Sequence, residues 1–166
     1  MVSKIRNIPR NNFFLYRKIR ELLEHRAMWL YLTLNEAEKK GLDYDFAKPG
    51  VFHCGCIQGL QYLGGDKKKS LKTLKKNLFS RIAQKIFEMK VLESTDDKLS
   101  IDFHYCPLVK AWQKLGCSDE QIEKLCDVAM EGDRGIASCF DGEMNLGKVI
   151  SKGDSFCEVR FSKNLK

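Results

Sequence analysis

The sequence predicts an α+β fold: an antiparallel sheet of about four strands covered by helices, with a helical N-terminal segment. Three observations predict it. Apolar residues recur at helical spacing in several stretches between residues 12 and 130, the period falls to two around residues 99–105, and two short apolar segments near the end are joined by a turn signal. Such an order fits one antiparallel sheet with helices on a single face. At 166 residues the chain suits one core, so a single domain spanning residues 1–166 is expected.

Residues 12–40 read as helix in two pieces. Phe14, Ile19, Leu22 and Leu23 supply one apolar face, Met28, Leu30, Tyr31, Leu32 and Leu34 a denser one, and Gly41 is a natural stop. The connector DYDFAKPGVF leads to HCGCIQGL at residues 53–60, whose glycines leave its state open. Asp66 reads as the N-cap of one helix over 66–86, with Leu71, Leu74, Leu78, Ile82 and Ile86 on a stripe opposite Lys68, Lys72, Lys75 and Lys76.

Val91 precedes a turn at STDDK, after which Leu99, Ile101, Phe103 and Tyr105 alternate with Ser100, Asp102 and His104. A β-hairpin follows, with Asp102 and His104 on its polar face. Pro107 opens a short helix carrying Leu108, Trp112 and Leu115, and Gly116 ends it. Ser118 and Gln121 form a capping box for a helix with Ile122, Leu125, Cys126 and Ala129 on one face, which Gly132 is expected to end. Strands near LGKVIS and FCEVRFS, joined by KGDS, complete the sheet.

The net charge of +7 raises the question of a nucleic-acid partner. The excess sits in residues 1–20 and 67–87, which hold no acidic residue, while the remainder is acidic on balance. No aromatic residue interleaves with the lysines from Lys67 to Lys76, so a solvated helix face is expected and nucleic acid is not. No apolar run is long enough to cross a bilayer and no leader pattern follows the basic N-terminus, so a cytoplasmic protein without a membrane partner is expected. Its seven cysteines are then thiols.

His104-Tyr105-Cys106-Pro107 is the segment that carries most chemical information. With Pro107 at the first helical position, Cys106 falls at the N-cap, where free amides and the helix dipole favour a thiolate. If the extended geometry persists, His104 shares a face with Cys106 and can exchange its proton. The alternative is a buried cysteine beside a hydrogen-bonded histidine. Glu131-Gly132-Asp133-Arg134-Gly135 offers two carboxylates and a guanidinium: Asp133 suits an amidine and Arg134 a carboxylate, while a helix C-cap followed by an Asp N-cap explains the same residues. His53, Cys54 and Cys56 suggest soft-metal chelation, but their spacing is not that of a zinc ribbon or finger, so no metal and no cofactor are expected. Cys157 points to the same strand face as Val159 and Phe161, toward the core.

From about residue 25 to residue 162 the chain resembles the 2-amino-thiazoline-4-carboxylic acid hydrolases. The resemblance rests on HRAMWLYL with EAEKKGLD, on HCGC, on STDDKLSIDFHYCPLVKAWQKLGC, on LCDVAMEGDRGIA and on KGDSFCEVRF, in that order. It implies hydrolytic opening of a cyclic isothiourea, and its motifs include His104, Cys106, Asp133 and Cys157. The expected mechanism is thiolate attack by Cys106 on the C–N carbon, proton transfer by His104 and hydrolysis of the adduct. Asp133 would orient the amidine, and Arg134, Glu131 and Cys157 would complete the binding site of a small-molecule substrate. Direct attack by water stays open, as does a ligand-binding or metal-binding sensor of the same fold.

Overall fold

The computed structural model describes residues 3–164. Its elements are helix α1 (Phe14–Glu38), a 3₁₀ turn at Tyr44–Ala47, α2 (Lys48–Leu63), α3 (Leu71–Asn77), α4 (Arg81–Ile86), strands β1 (Met89–Ser94) and β2 (Lys98–Phe103), α5 (Pro107–Lys114), α6 (Asp119–Cys139), β3 (Gly142–Leu146), a 3₁₀ turn at Ile150–Lys152, and β4 (Cys157–Lys163).

The sheet is antiparallel with strand order β1-β2-β4-β3. Register places Leu99 beside Phe161, Ile101 beside Val159 and Phe103 beside Cys157, with Met144 and Leu146 on the far side of β4. One face is therefore apolar, and Leu71, Leu74, Phe79, Ile136, Ala137 and Phe140 of the helical layer close over it. The opposite face is polar, and there Arg160 Nη2 donates to Asp102 at 2.7 Å. Alternation along β2 is the cause: a period of two sorts the side chains onto two faces.

A second core lies between helices. Trp112 is fully buried, its indole donates to the Ala27 carbonyl at 3.0 Å, and α1 is thereby fixed on α5. Arg20 is buried as well, although it belongs to the basic segment of residues 1–20. Its guanidinium donates to the carbonyls of Ile86, Asn11 and Lys85, pairs with Glu88 at 3.1 Å, and lies 4.4 Å from the Tyr105 ring centroid. A buried cation needs this many acceptors.

Several expectations are corrected. Residues 14–38 form one helix instead of two pieces, and Leu22, Met28 and Leu32 stay exposed on it. Asp66 does not cap a helix over 66–86. It accepts from Lys68 N, Ser70 N and Thr73 Oγ1 in a loop, and Ser70 is the N-cap of α3. The chain breaks at Phe79 and restarts with Ser80 as the next cap, which leaves Ile82 exposed. Residues 53–60 are helical, within α2. The strand expected at residues 146–151 lies earlier, at 142–146, because Val149 N is captured by Asp154 at 2.7 Å and Ile150 enters a 3₁₀ turn.

The largest departure concerns Gly132. The capping box at Ser118 and Gln121 forms as expected, but α6 runs through Gly132 and Gly135 to Cys139. Those glycines face α2. A Cβ on Gly55 would overlap the Gly132 carbonyl, one on Gly135 the Phe52 carbonyl, and one on Gly59 would press on Cys139. Glycine in a helix interior costs about 1 kcal/mol relative to alanine. Here close approach of two backbones offsets that cost, so the glycines mark a crossing and not an end.

Candidate functional site

A cavity of about 280 Å³ lies under the helical layer, bounded by α1 and α2 on one side and the apolar sheet face on the other. Its lining is dominated by apolar side chains, among them Leu78, Phe79, Phe87, Phe103, Met130 and Val159. Cys106, Cys126 and Cys157 also face it, and the charged or amide-bearing side chains in its wall are Arg26, Gln58 and Asp133.

Cys106 reaches the cavity because α5 starts at Pro107, with Cys106 in extended conformation at the N-cap. The strand expected at residues 99–105 ends at Phe103, two residues short. Asn7, itself buried, brackets the Cys106 peptide: its Nδ2 donates to the Cys106 carbonyl at 2.7 Å and its Oδ1 accepts from Cys106 N at 3.0 Å. Replacing Asn7 with alanine is expected to lower stability by about 2 kcal/mol, since two buried backbone groups lose their partners. Equilibrium denaturation checks this, and an unchanged midpoint would remove Asn7 from the support of the site.

The surroundings of Cys106 work against an activated thiol. Burial pushes it up to about 12, and the neighbouring Cys126 and Asp133 add to that, against the pull of the Leu108 and Val109 amides. Desolvation outweighs the helix terminus. Cys157 is pushed up likewise by burial, although Ile150 N donates to its sulfur at 3.2 Å.

Asp133 projects from the middle of α6, beside the glycine crossing. It is half-buried, with its carboxylate open to the cavity, and burial pushes it up to about 6 against the opposing pull of Arg26 and Arg134. Among the described residues none donates a hydrogen bond to this carboxylate, and Arg26 has no ion pair or hydrogen bond of its own. A carboxylate and a guanidinium thus both face an apolar cavity without a protein partner, the guanidinium at its exposed end. That arrangement favours a ligand carrying both a donor-rich cation and an anion.

The structure brings Cys106, Asp133 and Cys157 together and leaves the other expected residues apart. His104 is absent from the lining: the chain bends there, its N–H is held by the Glu88 carbonyl at 3.2 Å, and its ring lies 5.3 Å from that of Phe156. Extended geometry does not persist from His104 to Cys106, so the two do not share a face. Arg134 pairs with Glu131 at 2.5 Å and with Asp127 at 3.5 Å, and it faces a wider charged groove of about 790 Å³ across the Cys126 wall. His53, Cys54 and Cys56 sit on α2, and among the described residues no three His, Cys, Asp or Glu side chains cluster to hold a metal. Arg26 and Gln58 were not foreseen. A signal existed for Arg26, which lies within HRAMWLYL.

Among the described residues no helix is long and apolar enough to cross a membrane. The family model for L-2-amino-thiazoline-4-carboxylic acid hydrolase matches residues 20–161. No curated protein matches the chain. Among solved structures, trafficking protein particle complex subunit 3 from Naegleria fowleri, described as covalently bound to palmitic acid, shares the fold with a TM-score of 0.55. It is 14% identical, with 86% of this chain and 95% of that chain covered.

Proposed function

The chain belongs to the L-2-amino-thiazoline-4-carboxylic acid hydrolase family, and from that premise we propose that it hydrolyses a C–N bond of a cyclic amidine or isothiourea bound at Asp133. The observation that carries this reading is the unpartnered Asp133 carboxylate beside Arg26. An amidinium N–H can donate to one Asp133 oxygen and leave the other facing water, and Arg26 is placed to take an acidic group on the same small molecule.

Water is the nucleophile in this reading. Asp133 in its ionised form takes a proton from water as the oxygen bonds to the amidine carbon. It returns that proton to the ring nitrogen as the C–N bond breaks and the nitrogen leaves as an amine. A carboxyl pushed up to about 6 serves both steps near neutrality. Gln58 helps to orient the substrate. Cys106 and Cys157, held as neutral thiols, shape the wall, and His104 takes no part.

Turnover of a panel of cyclic and linear isothioureas, followed by product detection, tests the assignment. Cys106→Ala is expected to keep activity within about tenfold of wild type, whereas loss of a covalent nucleophile removes several orders of magnitude. A collapse of turnover with an intact fold would restore thiolate attack. A second reading, a binding module without turnover, draws support from the apolar lining; saturable binding of the same panel without any product would favour it.

A further inference from the structure

Resting on the reading of Asp133 as the amidine-binding group, we propose that the ligand carries a linear apolar tail, housed between the helical layer and the sheet. The charged and amide-bearing side chains of the cavity belong to α1, α2 and α6: Arg26, Gln58 and Asp133. Arg26 is exposed, so that end is the mouth. A small zwitterion is satisfied there and has no use for what lies beyond.

Beyond it the wall is apolar. Phe79, from the break between α3 and α4, and Phe87, just after α4, meet Met89 of β1, Phe103 of β2 and Val159 of β4 around the same cavity. Phe79 and Phe87 each stack edge-on against Phe103, at 6.0 and 5.7 Å between centroids, so the tail end is walled by fixed rings. Protein interiors are close-packed, and an unfilled apolar space of this size forfeits contacts along its whole wall. An alkyl chain recovers them. A second polar group does not, because among the described residues the far wall presents neither a charged side chain nor a side-chain amide.

The experiment uses the full chain and a homologous series of linear alkyl amidinium salts, from butyl to dodecyl, titrated calorimetrically below their aggregation limits. Affinity is expected to rise about fourfold per methylene, equivalent to about 0.8 kcal/mol each, at one ligand per chain, and then level off once the cavity is filled. Ala83→Leu, on the cavity side of α4, is expected to bring the plateau forward by one or more methylenes. Asp133→Asn is expected to weaken every member by a similar factor while leaving the slope unchanged. A flat series with binding still dependent on Asp133 overturns the tail and leaves the proposed hydrolase site standing. A preserved slope with no effect of Asp133→Asn supports the tail and overturns the amidine-binding role. No saturable binding at any length overturns the tail outright.

Discussion

Asp133→Asn is expected to abolish turnover and, at the same time, to make the protein more stable at neutral pH. The loss of turnover follows from removing the proton acceptor and is expected to reach about 10²–10⁴-fold in kcat. The gain in stability follows from burial. Asp133 has its folded pKa raised from 3.8 to about 6, so its contribution to stability is fully present below the unfolded value and is lost as pH rises to about 6. Over that window the folded carboxyl stays protonated while the unfolded one ionises, and the fold loses about 3 kcal/mol by the usual conversion of pKa to free energy. Asparagine carries no such penalty. Denaturant midpoints at pH 4 and pH 7.5 should therefore converge at the lower pH and separate at the higher, with the variant ahead. In wild type, kcat/KM should rise with pH through about 6 and then flatten. An acidic limb centred near the ordinary carboxylate value, or a variant less stable than wild type at pH 7.5, would exclude Asp133 as a desolvated base.

Gly55→Val is expected to have the second large effect. Even a methyl group there overlaps the Gly132 carbonyl, so the helices must separate along a crossing that also includes Gly59 and Gly135. Overpacking of a tight contact costs about 1–3 kcal/mol, and a clash with main chain belongs at or above the upper end. Gly50→Ala is the control. It lies on the same helix with open space within 4 Å of where a Cβ would sit, and is expected to be neutral or stabilising by up to about 1 kcal/mol. Any Gly55→Val protein that folds should also lose turnover, because α6 carries Asp133 one residue from the contact. Equal midpoints for the two variants would show that the crossing is not tight.

What the sequence disclosed was local. The start of β2, proline opening α5, the cap at Cys106 and the capping box of α6 each depend on residues within a few positions of one another, and each is where it is expected, although β2 stops at Phe103, two residues short. The errors arose where a distant segment decides. Gly132 ends a helix only if its φ turns positive, and α2 arriving from nearly eighty residues upstream keeps it helical. The glycines of residues 53–60 leave the state of that segment open because nothing local marks Gly55 and Gly59 as contact surface for α6. His104 shares a face with Cys106 only on an unbroken strand, and β2 ends at Phe103 with a bend at His104. Of the cavity's polar end, Asp133 was legible from its own motif. Arg26 had a signal in HRAMWLYL and Gln58 had none, and nothing near either in sequence says that α1 and α2 meet Asp133.

The strand order has a consequence for how the chain reaches this state. β4, the last strand, lies between β2 and β3, so β2 and β3 have no contact with each other and share only this late-arriving neighbour. On a ribosome, β1 and β2 can pair early as a hairpin, but β2 then presents an open edge beside Leu99 and Ile101 until residues 157–163 emerge. Such an edge invites pairing with other chains. Closure of the sheet is a long-range step and a slow one, and the interval before it is when a nascent or refolding chain is most exposed to aggregation.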